Sequence, residues 1–134
     1  MDWWNDLWLN EGFASYIEYK GVTNAEPDWN AENFFLVDDL QPVLRLDSLE
    51  NSHPIIQEVN NPDQITELFD TISYSKGSSV LRMLEHTIGS DVFQKGIQNY
   101  LKKNSYKNAK SEDLWNEINL VLNQVNINII LIWT

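Results

Sequence analysis

The chain has no cysteine, two histidines, five glycines and four prolines among 134 residues. Without cysteine there is no disulfide, no thiolate metal ligand and no thiol nucleophile. The absence leaves the compartment open, because secreted domains need not contain cysteine. The two histidines, His53 and His86, stand far apart, and no H-E-x-x-H accompanies them. Basic residues are also scarce. Nine Lys and Arg against twenty Asp and Glu give a net charge of −11, which argues against nucleic acid and against an anionic membrane surface, since both need clustered cations. No Asn-x-Ser/Thr sequon occurs, and Met1, Asp2 and Trp3 do not open a signal peptide. The longest apolar run, Ile127 to Trp133, is far shorter than the roughly 20 residues of a membrane-spanning helix.

What is present is enough for one domain, and nearly all of it reads as helix. From Asn5 to Lys20 there is no proline, and apolar side chains point in almost every direction, as in a helix buried on several sides. Gly21 is the expected stop. A second helix is expected from about Asp28 into the Leu40s, with Phe34, Phe35, Leu40 and Leu44 at helical spacing and a kink or break at Pro42. Residues 51–64 read as a long connection, with a short strand between Ile55 and Val59 and a turn and cap at Asn60-Asn61-Pro62-Asp63. Helix resumes near Asp63 or Gln64 and continues to Ile88, with a break near Asp70 to Ser73 and a core face of Leu81, Leu84 and Ile88. Gly89 ends it and Ser90 or Asp91 caps the next, whose inner face is Phe93, Ile97, Tyr100 and Leu101. Lys102 and Lys103 suit the negative end of its dipole. Ser111 opens a last helix carrying Leu114, Trp115, Ile118, Val121 and Leu122. Beyond Gln124 the pattern dissolves into VNINIILIWT, a divergent apolar tail over 125–134.

Two stretches carry chemistry. In WWNDLWLNEGFASYIEY, residues 3–19, a carboxylate stands among aromatic and aliphatic side chains. Burying it ionised costs several kcal/mol unless it is paired. Glu11 therefore either takes an exposed edge or bonds nearby backbone, or it ligates a metal. A catalytic zinc needs three protein ligands, and spacing identifies no second or third. In DTISYSKGSSVLRML, residues 70–84, Tyr74 stands among small residues. Its phenol keeps its proton at neutral pH. It either packs at a helix junction or donates to a developing oxyanion.

Taken together, WWNDLWLNEGFASYIEY and FDTISYSKGSSVLRML resemble the zinc aminopeptidases of the aminopeptidase N type, a gluzincin metallopeptidase family. The intervening His53-Pro54-Ile55 and VNNPDQITELFD, residues 59–70, resemble the family in the same order. The resemblance covers about Met1 to Gln124 and implies a mainly α fold: the helical C-terminal part of a thermolysin-like catalytic domain, about five helices with short extended segments. It implies that Glu11 is the third zinc ligand and that Tyr74 stabilises the oxyanion of the tetrahedral intermediate. In the family two histidines and a glutamate base come from an H-E-x-x-H helix, and a G-x-M-E-N segment binds the substrate's free amine. Neither motif occurs in this sequence. The expectation is therefore a partial catalytic domain over 1–124, related to enzymes that cleave N-terminal residues from peptides and inactive on its own. By resemblance the setting is the plasma membrane, as an ectoenzyme, or the cytoplasm. The competing expectation is a non-catalytic helical interaction module that associates through exposed Trp3, Trp4 and Trp8.

Overall fold

In the computed structural model, residues 1–125 are described. They contain six α-helices, joined by 3-10 turns and two π turns, and no strand. Of the tail set apart at 125–134, all but Val125 lies outside the described residues. The described residues fall into two compact units, Trp3–Arg82 (with Met1) and Met83 onward (with Asp2).

The first unit is led by α1, Leu7–Ala25, which follows a 3-10 turn at Trp4–Asp6. Leu7, Trp8, Leu9, Gly12 and Tyr16 are buried, so burial does extend beyond a single narrow stripe. Gly21 does not stop the helix. With open space around it it is tolerated as an exposed helical residue, and the helix ends only at Glu26, ahead of Pro27. The expected second helix begins at Ala31 rather than Asp28 and runs unbroken to Asp47 with a π segment in its middle. A 3-10 turn at Pro27–Trp29 ends at Asn30, in the left-handed conformation with φ 53°. Then come α2 (Ala31–Phe35), a π turn (Leu36–Leu40) and α3 (Gln41–Asp47). Pro42 stands in the first turn of α3, directly after the π segment, and the helix is not broken there. Phe35 and Val43 are buried, while Phe34 and Leu44 face outward.

The connection over 51–64 is present, but Ile55 to Val59 forms no strand; Val59 instead packs with Leu7 and Leu68, flanked by Trp4 and Ile65. The turn and cap at Asn60 to Asp63 does form. The Asn61 side chain accepts from the Asp63 N–H at 3.1 Å, and Gln64 Oε1 accepts from the Asn61 N–H at 3.0 Å. In place of the expected helix from Asp63 or Gln64, two 3-10 turns form at Pro62–Gln64 and Thr66–Leu68; the break lies at Phe69–Asp70, and helix resumes at Thr71, through a second π turn, Ile72–Lys76, into α4, Gly77–Ile88.

The second unit is regular. After α4, Gly89 takes φ 87°, a left-handed conformation that favours glycine. Then α5 spans Ser90–Lys103 and α6 spans Ser111–Gln124. No side-chain cap forms at the start of α5, and its N-cap is Gly89 itself. Leu84, Ile88, Phe93, Leu114, Ile118, Val121 and Leu122 are buried as their spacing requires. Leu101 is the exception: it is 60% exposed, on the outer side of α5. Lys103 Nζ donates to the buried Glu117 carboxylate at 2.6 Å.

Candidate active site

Glu11 stands on α1 and is half-buried. Asn10 Nδ2 donates to its Oε1 at 3.1 Å. The Tyr74 phenol, from the second π turn, lies close enough to the Glu11 carboxylate to feel its charge. Burial, together with the carboxylate's charge, holds the phenol above its ordinary pKa. At neutral pH it is therefore an O–H donor. The chain thus brings together the two side chains on which the resemblance rests.

The reason they meet lies in the backbone. Gly12 and Gly77 face each other where α1 crosses the start of α4. A Cβ on Gly12 would lie 2.6 Å from the Gly77 carbonyl carbon and 2.9 Å from the Ser78 nitrogen. A Cβ on Gly77 would lie 2.9 Å from the Trp8 carbonyl oxygen. Only glycine at both positions lets these segments approach so closely. Glu11 and Tyr74 sit one and three residues from that contact.

The π turn is anchored residue by residue. Ile72 is buried. The Ser73 N–H donates to Asp70 Oδ1 at 2.9 Å, and the Tyr74 N–H donates to the Asp70 carbonyl at 3.1 Å. Ser75 Oγ donates to Asp39 Oδ1 at 2.6 Å. Lys76 Nζ reaches the Asp47 carboxylate at 2.7 Å, and Ser52 Oγ donates to the same carboxylate at 2.8 Å. Those two bonds, Lys76's first, hold Asp47 below the usual carboxylate range. π turns of this kind recur at functional sites, where the wider turn re-aims a side chain. Here the re-aimed side chain is Tyr74.

The sequence reading missed Asp39, Asp47 and Asp70 as anchors. Asp70, just ahead of a helical stretch, carried the usual signal of an N-terminal cap. Asp39 and Asp47 carried none, because their partners are distant in sequence. The histidines are elsewhere. His53 pairs with Asp70, Nε2 to Oδ2 at 2.5 Å, and His86 is exposed. The aromatic patch expected from Trp3, Trp4 and Trp8 is not formed as such. Trp8 is buried at 4% exposure, because the α1 face that carries it is a core face. Trp4 is half-buried against Leu7, Val59 and Leu68. Trp3 alone is exposed, with its indole N–H donating to the Val59 carbonyl at 3.2 Å.

Among the described residues, no three His, Cys, Asp or Glu side chains gather closely enough to hold a metal ion. A zinc centre takes three protein ligands or more. Glu11 offers one donor, so these residues do not by themselves make a metal site. Nor is any helix among the described residues long and apolar enough to cross a membrane.

Comparison with known proteins agrees with the geometry. The Peptidase family M1 domain matches residues 1–133. Human glutamyl aminopeptidase is 59% identical over 115 residues, which is 86% of this chain and 12% of that protein. Rat glutamyl aminopeptidase is 49% identical over 134 residues, all of this chain and 14% of that protein. Dog aminopeptidase N is 50% identical over 133 residues, 96% of this chain and 14% of that protein. The chain thus spans about one seventh or less of the length of these curated relatives. With residues 1–133 matched to the family and half or more of the residues shared over most of the chain, the chain belongs to peptidase family M1.

Proposed function

We propose that this chain is the helical part of the catalytic domain of a zinc-dependent aminopeptidase, a hydrolase removing N-terminal residues from peptides. Peptidases of this family are generally zinc-dependent. The observation that carries the proposal is the close Gly12–Gly77 backbone contact, which brings the two motifs together and leaves Glu11 and Tyr74 near each other, both half-buried. In this reading Glu11 is one carboxylate ligand of a zinc site, completed by donors that the described residues do not include. Tyr74 is the phenolic donor to the oxygen that becomes negative as the peptide carbonyl is attacked. Its pKa, held above the ordinary value, suits that role: the proton stays on the phenol and is shared, not surrendered. The turn and the Gly12–Gly77 crossing supply preorganisation, so that the donor need not be ordered during the reaction.

Two measurements test this. Equilibrium dialysis of the purified 134-residue chain against zinc is expected to show no stoichiometric retention, and aminoacyl-arylamide substrates are expected to remain intact. Chelator-sensitive turnover by the pure chain would overturn the proposal. In a longer enzyme in which this segment is joined to an H-E-x-x-H segment, Glu11→Ala is expected to lose zinc. Tyr74→Phe is expected to keep zinc and lose about 100- to 1,000-fold in kcat, the usual size for removing one oxyanion donor. Full turnover by Tyr74→Phe would also end the proposal.

A further inference from the structure

Asp39 belongs to neither conspicuous motif. It lies on the first π turn, Leu36–Leu40, with its side chain half-buried. Both of its carboxylate oxygens are used. Tyr19 Oη donates to Oδ2 at 2.6 Å, and Ser75 Oγ donates to Oδ1 at 2.6 Å. These are short, charge-assisted bonds of the strong class.

The addresses of the two donors matter. Tyr19 sits on α1, the helix that carries Glu11. Ser75 is the residue after Tyr74, on the second π turn. One carboxylate thus ties the helix bearing Glu11 to the turn bearing Tyr74. We infer that Asp39 is a positioning residue for the Glu11–Tyr74 pair, with Tyr19 and Ser75 as its two arms.

Each end of this brace is stiff. The Tyr19 ring packs edge-on against Phe35, with centroids 5.3 Å apart and planes at 82°. Phe35 is 1% exposed, and the Arg82 guanidinium lies over its ring at 5.5 Å. Burial, then the bond to Asp39, push the Tyr19 phenol far above its ordinary pKa, so it is an O–H donor at neutral pH. Ser75 is 8% exposed, and its carbonyl accepts from Ser78 Oγ at 3.0 Å and Ser79 Oγ at 2.7 Å. The Gly12–Gly77 contact fixes how closely the two segments approach. The Asp39 bridge limits rotation of the turn about that contact, and rotation is what would swing the Tyr74 phenol away from Glu11.

The importance of the brace rests on the aminopeptidase reading, but its existence does not, and the test is chosen accordingly. It is nuclear Overhauser spectroscopy on the 134-residue chain with labelled Tyr, Phe and Glu. In the parent chain, Tyr74 ring protons are expected to show a contact to the Glu11 side chain, and Tyr16 to show one to Phe35, where the rings meet edge-on at 6.2 Å. Ser75→Ala and Asp39→Asn are expected to abolish the Tyr74–Glu11 contact and keep the Tyr16–Phe35 contact. Tyr19→Phe, which keeps the ring and removes the O–H, is expected to weaken the first and keep the second. Leu114→Ala, which truncates a fully buried side chain on α6 in the second unit, is expected to keep both. If Asp39→Asn does not fold, Ser75→Ala and Tyr19→Phe decide. Full retention of the Tyr74–Glu11 contact in Ser75→Ala and Tyr19→Phe overturns the inference. So does its equal loss in Leu114→Ala, which would make Asp39 a merely structural residue. A failed activity test with Tyr74→Phe would sink the aminopeptidase reading and leave these contacts unchanged, so the two failures are distinguishable.

Discussion

Between Met83 and Gln124 the backbone is regular α-helix apart from Gly89 and the loop before Ser111, whereas between Asn30 and Gly77 helix gives way to two π turns and two 3-10 turns. The two regions are also held together differently. The later one relies on interdigitated apolar residues, with Leu114 and Ile118 fully buried and the Lys103–Glu117 ion pair beside them. The earlier one uses carboxylates as struts. Asp39, Asp47 and Asp70 each receive two or more donors, most from other elements. Apolar packing is non-directional, so it stabilises a helix without fixing one side chain's aim to a fraction of an ångström. Hydrogen bonds to a charged group are directional and short. Irregular, polar-braced backbone surrounds Tyr74, and regular helix occurs where only burial is required.

The sharpest way to break this contrast is to truncate the apolar region's core. Leu114→Ala removes a fully buried side chain from α6 and is expected to cost about 2–5 kcal/mol, the usual range for Leu→Ala in a packed core. Urea unfolding followed by circular dichroism measures it. A cost below about 1 kcal/mol would mean that the second unit is not a close-packed core, and the comparison would fail there.

A matched pair of glycine substitutions comes next. Gly12→Ala places a methyl 2.6 Å from backbone carbon, where neither partner can move without separating α1 from α4. The expected cost is about 1–3 kcal/mol or more from overpacking, only partly offset by the roughly 1 kcal/mol gain in helix propensity. Gly96→Ala on α5 places its methyl 2.7 Å from Ile118 Cγ1 but 3.2 Å from the nearest backbone atom, so a side-chain shift relieves part of the clash. Gly12→Ala is therefore expected to be the more destabilising, by thermal denaturation of the two variants side by side. It is also expected to separate Glu11 from Tyr74, which Gly96→Ala should not do. The reverse order of stabilities would show that the α1–α4 crossing is looser than its geometry indicates.

The same contrast explains what could be read without coordinates. In the regular region periodicity was sufficient: Leu84, Ile88, Phe93, Leu114, Ile118 and Leu122 are all buried. Leu101 was misplaced, being exposed, and Ile97, Tyr100 and Trp115 are only half-buried. In the braced region periodicity failed. Gly21 looked like a stop but is carried inside α1, because an exposed glycine weakens a helix without ending it. Ile55 to Val59 looked like a strand because its residues are β-prone, yet no partner strand exists among the described residues, and a lone strand leaves its backbone unpaired. The motifs around Glu11 and Tyr74 stood out because each is local in sequence. Their anchors at Asp39 and Asp47 were not, since a carboxylate's partner across a long stretch of chain leaves no spacing signal.

The smallest expected effect sharpens the comparison through pH. His53 sits on the long connection, with Nδ1 2.9 Å from the Pro54 carbonyl and Nε2 on Asp70, the same aspartate that caps the Tyr74 turn. Burial pulls the imidazole's pKa down, as does Lys76 nearby, but the Pro54 carbonyl and the Asp70 bond and charge outweigh them, and the net direction is up. A folded-state value above the unfolded one means that the pair stabilises fully at pH below the unfolded histidine's value, about 6.5. That contribution is lost as pH rises through the higher folded value. Both side chains are about a third exposed, so its size is expected to be at most about 1 kcal/mol. Urea midpoints between pH 5.5 and 8.5 should fall slightly across that window in the parent chain and stay flat there in His53→Gln. If the parent's midpoint instead rose with pH, His53 would be destabilised by its surroundings, and Asp70 would not be the shared strut that joins the connection to the Tyr74 turn.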